Sequence, residues 1–219
     1  MKLYLASTDL ADLTPVAARG LLDGVYLSPP MLMAAATGRS ADDVLLELAR
    51  GARRPVFTPI ASVFGDDLLL EARARAKAAD GIVVQVPFIE DALRPMHDLV
   101  ADGVRIAATL VVTAPQALLA AKIGASSVIV DVDLLEQHGL DASSSLSAMR
   151  SLLDRHAMAC DLLALHPRGS GPFAACLTAG ADGVIIEPAA LRDLLTHPLT
   201  DRGLDRLLAA MSRRPRVLP

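Results

Sequence analysis

The chain alternates short apolar runs with longer stretches in which apolar residues recur every three or four positions. Five of the short runs share one pattern: LLDGVYLSPP at 21–30, AADGIVVQVP at 78–87, VADGVRIAAT at 100–109, GASSVIVDVD at 124–133 and AGADGVIIEP at 179–188. In each, small or acidic residues, usually with a glycine, precede a brief apolar segment. Glycine suits the left-handed residue that closes a helix. A short β-branched run suits a strand buried on both faces of a parallel sheet. With less regular segments added, the pattern predicts eight strands, at 2–6, 25–27, 56–58, 82–86, 105–109, 127–131, 161–165 and 183–186.

Alanine- and leucine-rich stretches with helical spacing lie between them, among them 40–52, 66–79 and 114–124. Ser40 and Thr113 stand where N-caps belong. Eight β–α alternations, with 22 to 34 residues between successive strand starts, predict an α/β fold, a (β/α)8 TIM barrel, rather than an open sheet. An extra C-terminal helix is expected at 201–211. No linker divides the chain, so residues 1–211 read as a single barrel domain. The basic, proline-containing tail SRRPRVLP at 212–219 reads as lying outside the core. The triple serine at 143–145 reads as a cap and loop ahead of a helix.

Composition narrows the function classes. With 53% hydrophobic and 21% charged residues, intrinsic disorder is excluded. A net charge of -4 gives no sign of a nucleic-acid partner. No apolar run reaches the ~18 residues of a membrane span. Asp9 and Asp12 interrupt any leader-like core, so the expectation is a cytoplasmic protein. Cys160 and Cys176 are too few for a disulfide scaffold, lack metal-ligand spacing, and read as small core residues. Aromatic residues make up only 3%, which predicts many small helix-on-sheet contacts. The high apolar fraction also points to a subunit interface.

In a parallel barrel, reactive groups cluster at the C-terminal ends of the strands. The polar residues there are Ser7, Thr8, Ser28, Thr58, Gln85, Thr109, Asp131, Asp133, His166, Arg168 and Glu187. Neither lysine nor cysteine is among them. Lys77 and Lys122 fall on predicted helices, and Lys2 at the opposite end of strand 1. A Schiff base needs an amine at the mouth, and none is expected. Gln85, within GIVVQVP, is either a hydrogen-bonded core amide or a substrate-binding one. Asp131 and Asp133 alternate, so both are expected on one side of strand 6. Mutual repulsion would then keep a proton on one of them and suit it to general acid/base work. Capping of the following turn by Asp133 is an equal alternative. Divalent-cation binding with His166 or Glu187 is a lesser one. Arg168, just ahead of a helix start at Ser170 and Gly171, reads as a phosphate site or as the partner of a surface carboxylate. His97, His138, His156 and His197 form no constellation.

From end to end the chain resembles the small transaldolase and fructose-6-phosphate aldolase family of class I aldolases. The stretches that carry the resemblance are THPLTDRGLDRLLAAM at 196–211, LVADGVRIAATLVVTAPQALLAAKIGAS at 99–126, DGVYLSPP at 23–30 and LTAGADGVIIEP at 177–188. The resemblance implies a TIM barrel and a homo-oligomer, commonly pentamers paired as decamers, with the C-terminal helix reaching a neighbour. It also implies a Schiff-base lysine in a V-V-K-I-P strand, where this chain has Gln85. The family's aspartate in F-I-D-T-A is Ala6 here, its asparagine in T-T-N-P-S is Ser28, and its strand 3 polar residue is Pro59. Its strand 5 asparagine is Ala107, while the threonine that follows survives as Thr109. Its S-P-F-V-G-R segment, ending in a phosphate-binding arginine, corresponds to 129–134 and ends at Leu134. Its strand 7 S-x-R survives only as His166 and Arg168. Scaffold motifs are kept while the aldol machinery is replaced.

The expectation is therefore a diverged family member that binds a small polar or phosphorylated carbonyl or sugar-type ligand, with no cofactor and no metal. Asp131, Asp133, Gln85 and Thr109 would do any chemistry, and Ser28, His166 and Arg168 would bind the ligand. The alternatives are a non-catalytic oligomer and a lyase using the two aspartates or a metal.

Overall fold

Eight parallel strands close into a barrel in strict chain order, and the last returns to pair with the first. The computed structural model describes residues 1–212, so the 212–219 tail lies outside the described residues apart from Ser212. The strands are β1 Lys2–Ala6, β2 Gly24–Tyr26, β3 Val56–Pro59, β4 Ile82–Pro87, β5 Ile106–Thr109, β6 Ser127–Asp131, β7 Asp161–Leu165 and β8 Gly183–Ile186. The helices around them are α1 Leu10–Ala18, α2 Pro29–Ala35, α3 Ala41–Ala52, α4 Gly65–Ala76, α5 Leu93–Ala101 and α6 Ala114–Ile123. They continue as α7 Val132–Gln137, α8 Ala142–Arg155, α9 Ser170–Thr178, α10 Pro188–Leu195 and α11 Pro198–Ser212.

This is the (β/α)8 barrel with an extra C-terminal helix that the alternation predicts. β1, β6, β7 and β8 match expectation residue for residue. β2 sits one residue earlier than 25–27: the Leu27 carbonyl accepts the Gln85 side-chain amide at 2.8 Å. Ser40 caps α3, and Thr113 caps α6 with Gln116 reaching back in a capping box. Three local readings are corrected. The short helices α2 and α7 were not expected. The triple serine lies inside the first turn of α8, because Asp141 takes the cap and accepts from Ser144 N–H at 3.1 Å. α11 begins three residues earlier than 201, at Pro198, whose fixed φ suits a first helical turn.

Strand alternation divides the apolar residues into two cores. Tyr4, Ala6, Tyr26, Phe57, Val83, Ala107, Ile129, Leu163, Leu165 and Ile185 fill the barrel interior. The Tyr4 and Phe57 rings meet edge to face at 5.1 Å. The intervening positions, such as Leu5, Val25, Val84, Ile106, Val128 and Val184, pack outward against the helices. Both cysteines are buried free thiols. Burial, with help from neighbouring acids, pushes Cys160 up to about 12 and Cys176 to about 11, so they serve as core residues and not as nucleophiles.

The seam between β8 and β1 depends on one glycine. Gly183 pairs with Lys2 across it. A Cβ built there would lie 2.7 Å from the Lys2 carbonyl oxygen and 3.1 Å from Leu163 Cδ2. The carbonyl is backbone and cannot swing away. Gly183→Ala therefore overpacks the seam and should destabilise the protein by about 1–3 kcal/mol, read as a lower urea midpoint.

Candidate functional site

The C-terminal ends of the strands form an open mouth with two adjoining cavities, of about 500 and 470 Å³. His166 and Glu187 line both. Tyr26, Ser28, Asp12 and Arg192 line the first, and Arg168 and Asp193 the second.

Asp131 is the last residue of β6 and follows the inward parity of Ser127 and Ile129. Its Oδ1 accepts the Leu134 N–H at 3.1 Å, which makes it the N-cap of α7. Its Oδ2 lies 3.4 Å from His166 Nδ1. Strict alternation would send His166 outward, because Leu163 and Leu165 already face the axis. The backbone at His166 instead turns left-handed, with φ of 63°. Non-glycine residues adopt this conformation rarely, and it concentrates at functional sites. The turn brings the imidazole back to the mouth.

The two groups set each other's charge. Burial opposes ionisation of Asp131, but its pairing with His166 and the N–H of Leu134 outweigh it and hold the carboxyl below its ordinary value. His166 is raised, first by its pairing with Asp131, against the effect of burial, and further by the charges of Asp131, Glu187 and Asp133. Asp131 is thus ionised at neutral pH. Tyr26 is buried at the same level of the barrel. Burial and the Asp131 charge push its phenol up to about 12, so it remains a hydrogen-bond donor.

Asp133 does not share a side of β6 with Asp131. The strand ends at Asp131, and Asp133 sits in the first turn of α7. There its Oδ2 accepts from Arg168 Nη2 at 2.7 Å and from Gln137 Nε2 at 2.8 Å. Two facing carboxylates sharing a proton are thereby excluded, and the cap expected from Asp133 comes from Asp131. Arg168 is paired with a carboxylate, yet its side chain is 77% exposed and borders the second cavity. Among the described residues, no three His, Cys, Asp or Glu side chains are placed to hold a metal ion, and Asp131, Asp133 and His166 do not converge into such a group.

Gln85 is buried on β4, with Nε2 donating to the Leu27 carbonyl at 2.8 Å. Thr109 ends β5, half-buried, and its carbonyl accepts the Phe88 N–H at 2.8 Å. Ser28 caps α2 and accepts from Met31 N–H at 3.5 Å, while bordering the first cavity. Tyr26 and Arg192 were not singled out from the sequence. Tyr26 reads as an apolar strand residue, although its alternation with Gly24 marks it as inward. Arg192 belongs to α10 and reaches Asp12 at 3.6 Å.

The Asp131–His166 pair makes a testable demand on stability. In the unfolded chain the two groups titrate near 3.8 and 6.5. A lowered carboxylate stabilises the fold above its unfolded value, and this is lost as pH falls through the folded one. A raised imidazole stabilises below its unfolded value, and this is lost as pH rises through the folded one. Asp131→Asn keeps the cap and removes the charge. Its destabilisation in urea titrations should therefore be larger at about pH 5 than at about pH 9.

Residues 32–214 match the family model described as Transaldolase/Fructose-6-phosphate aldolase. A probable transaldolase from Hyphomonas neptunium is 33% identical over 209 residues, covering 95% of this chain and 96% of that protein. One from Phenylobacterium zucineum is 34% identical over 209 residues, covering 95% of each. Among solved structures, orotidine 5'-phosphate decarboxylase from Pyrococcus horikoshii OT3 superposes with a TM-score of 0.61 at 16% identity, over 84% of this chain and 88% of that one, which is a likeness of fold. No helix among the described residues is long and apolar enough to cross a membrane. By its sequence match and its closed barrel, the chain belongs to the transaldolase/fructose-6-phosphate aldolase family.

Proposed function

We propose that this chain is a diverged member of its family that binds a small polar or phosphorylated carbonyl or sugar-type ligand at the barrel mouth and forms no Schiff base with it. The observation that carries the reading is the position of the chain's three lysines. Lys77 closes α4 and lines a cavity beside the start of β4. Lys122 lies in the last turn of α6. Lys2 opens β1, at the opposite end of the barrel, and pairs with Asp161. The inward residue near the end of β4 is Gln85, whose amide nitrogen is non-basic and already donates to Leu27. Without an iminium, the covalent route to breaking a carbon–carbon bond, in which the iminium is the electron sink, is closed.

The mouth instead offers acid/base and hydrogen-bonding groups. His166, whose imidazole Asp131 holds above its ordinary value, supplies a proton to a ligand oxygen. Asp131 acts through His166 and by its own charge. The Tyr26 phenol, Gln85, Thr109 and Ser28 orient the ligand. Asp133 steers Arg168, and Arg168 with Arg192 holds an anionic end. The chemistry needs no cofactor or metal in this reading. Two buried free thiols fit a reducing, cytoplasmic setting.

Borohydride trapping tests it. The protein is incubated with dihydroxyacetone or fructose 6-phosphate, reduced, and weighed intact by mass spectrometry. The expected result is an unmodified mass, and a stable ketone adduct on any lysine contradicts the proposal. Gln85→Lys in the same assay is the positive control, because it returns an amine to the mouth.

One observation favours assembly as a second property of the chain. None of the α11 residues is buried. Leu204, Leu207, Leu208 and Met211, spaced to share one helical face, are 54%, 57%, 52% and 61% exposed. We infer that this face docks on another copy of the chain, within a homo-oligomer of pentameric or decameric order. Light scattering should report a multimer. Leu204→Asp combined with Leu208→Asp should shift it to smaller species; an unchanged mass contradicts the inference.

A further inference from the structure

At the end of the barrel opposite the mouth, a cavity of about 240 Å³ opens among the strand starts. Lys2, Tyr4, Asp23, Arg105, Ser127 and Asp161 contribute its polar wall. Ser127 is 2% exposed, and among the described residues its hydroxyl has no hydrogen-bond partner. A buried hydroxyl left unbonded is unfavourable, and the cavity that Ser127 borders offers room for a partner. Tyr4 is nearly as buried. Burial and the charges of Asp161 and Asp23 raise its phenol, which keeps it a donor.

The charges around this cavity do not close on themselves. Lys2 Nζ pairs with Asp161 at 2.5 Å. Asp23 Oδ2 accepts the Leu3 N–H at 2.8 Å. Among the described residues, however, Asp23 has no cation within 4.0 Å, and Arg105 has no carboxylate within 4.0 Å. A carboxylate and a guanidinium therefore border one cavity, too far apart to pair. Both side chains are exposed, so solvent meets them in the free protein, and a simple anion would pair with Arg105 and not with Asp23. A simple cation would do the reverse.

We propose that this cavity binds a small zwitterion of the α-amino-acid type, with its carboxylate on Arg105 and its ammonium on Asp23. The Tyr4 and Ser127 hydroxyls complete the hydrogen bonding. The cavity has room for a short side chain, as in glycine, alanine or serine. The site lies apart from the mouth, so its failure would leave the reading of the mouth untouched.

Thermal shift and calorimetry with glycine and L-serine test the site, with acetate and methylammonium as half-ligands. Glycine or serine should raise Tm, and each half-ligand should do so less. Arg105→Gln and Asp23→Asn should each weaken binding about tenfold. Ser127→Ala should raise the Tm of the free protein, by removing an unbonded buried atom, and shrink the rise produced by serine. No rise with either amino acid overturns the proposal, as does an equal rise with acetate alone or a rise that survives both charge substitutions. Crystals soaked in serine give a second readout: density bridging Arg105 and Asp23 supports the site, and water alone overturns it.

Discussion

Closing eight parallel strands leaves an interior that takes only every second side chain, and the β8–β1 seam fixes which one. Gly183 sets that seam, because it meets the Lys2 carbonyl with no room for a Cβ. From there the parity runs through Tyr4 and Ala6, Tyr26, Phe57, Val83 and Gln85, to Asp131 and Leu165. A shift of one residue in any strand would exchange its interior set for the set that packs on the helices. What the mouth can do is thus decided by a handful of inward positions at the strand ends, and at β4 that position holds an amide.

The polar residues at the mouth are held by local structure before they meet a ligand. Asp131 is fixed by the cap it makes for α7. His166 is fixed by a left-handed backbone and faces that carboxylate. Asp133, in the first turn of α7, holds Arg168 across to the loop that leads into α9. Two acidic residues that look equivalent in the chain therefore have different work. One sets the charge of a histidine, and the other aims an arginine. This separation replaces the shared-proton picture, because a carboxylate paired with an imidazole and capped by an N–H has no reason to keep a proton.

The barrel itself was largely legible in the sequence. Runs such as SSVIVD and DGVIIE carry β-branched residues between a glycine-rich helix end and a polar turn, so their limits are sharp. β2 is three residues long, and the side chain of a distant strand takes its next carbonyl, which local pattern does not reveal. At the site, the inward directions of Asp131 and Gln85 were readable from period alone. The direction of Asp133 was not, because the chain changes from a period of two to one of 3.6 immediately after Asp131. His166 escaped the same logic through its positive φ. Tyr26 was legible in principle, since it alternates with Gly24, but an aromatic residue in an apolar run reads first as core.

The account rests on the mouth holding a histidine–carboxylate pair in which each group favours the charge of the other. The most direct measurement is an NMR pH titration of the His166 imidazole, in the wild type and in Asp131→Asn. The account predicts a wild-type midpoint above the ordinary 6.5, moving down when the carboxylate is neutralised. A midpoint at or below 6.5, unmoved by the substitution, would contradict it.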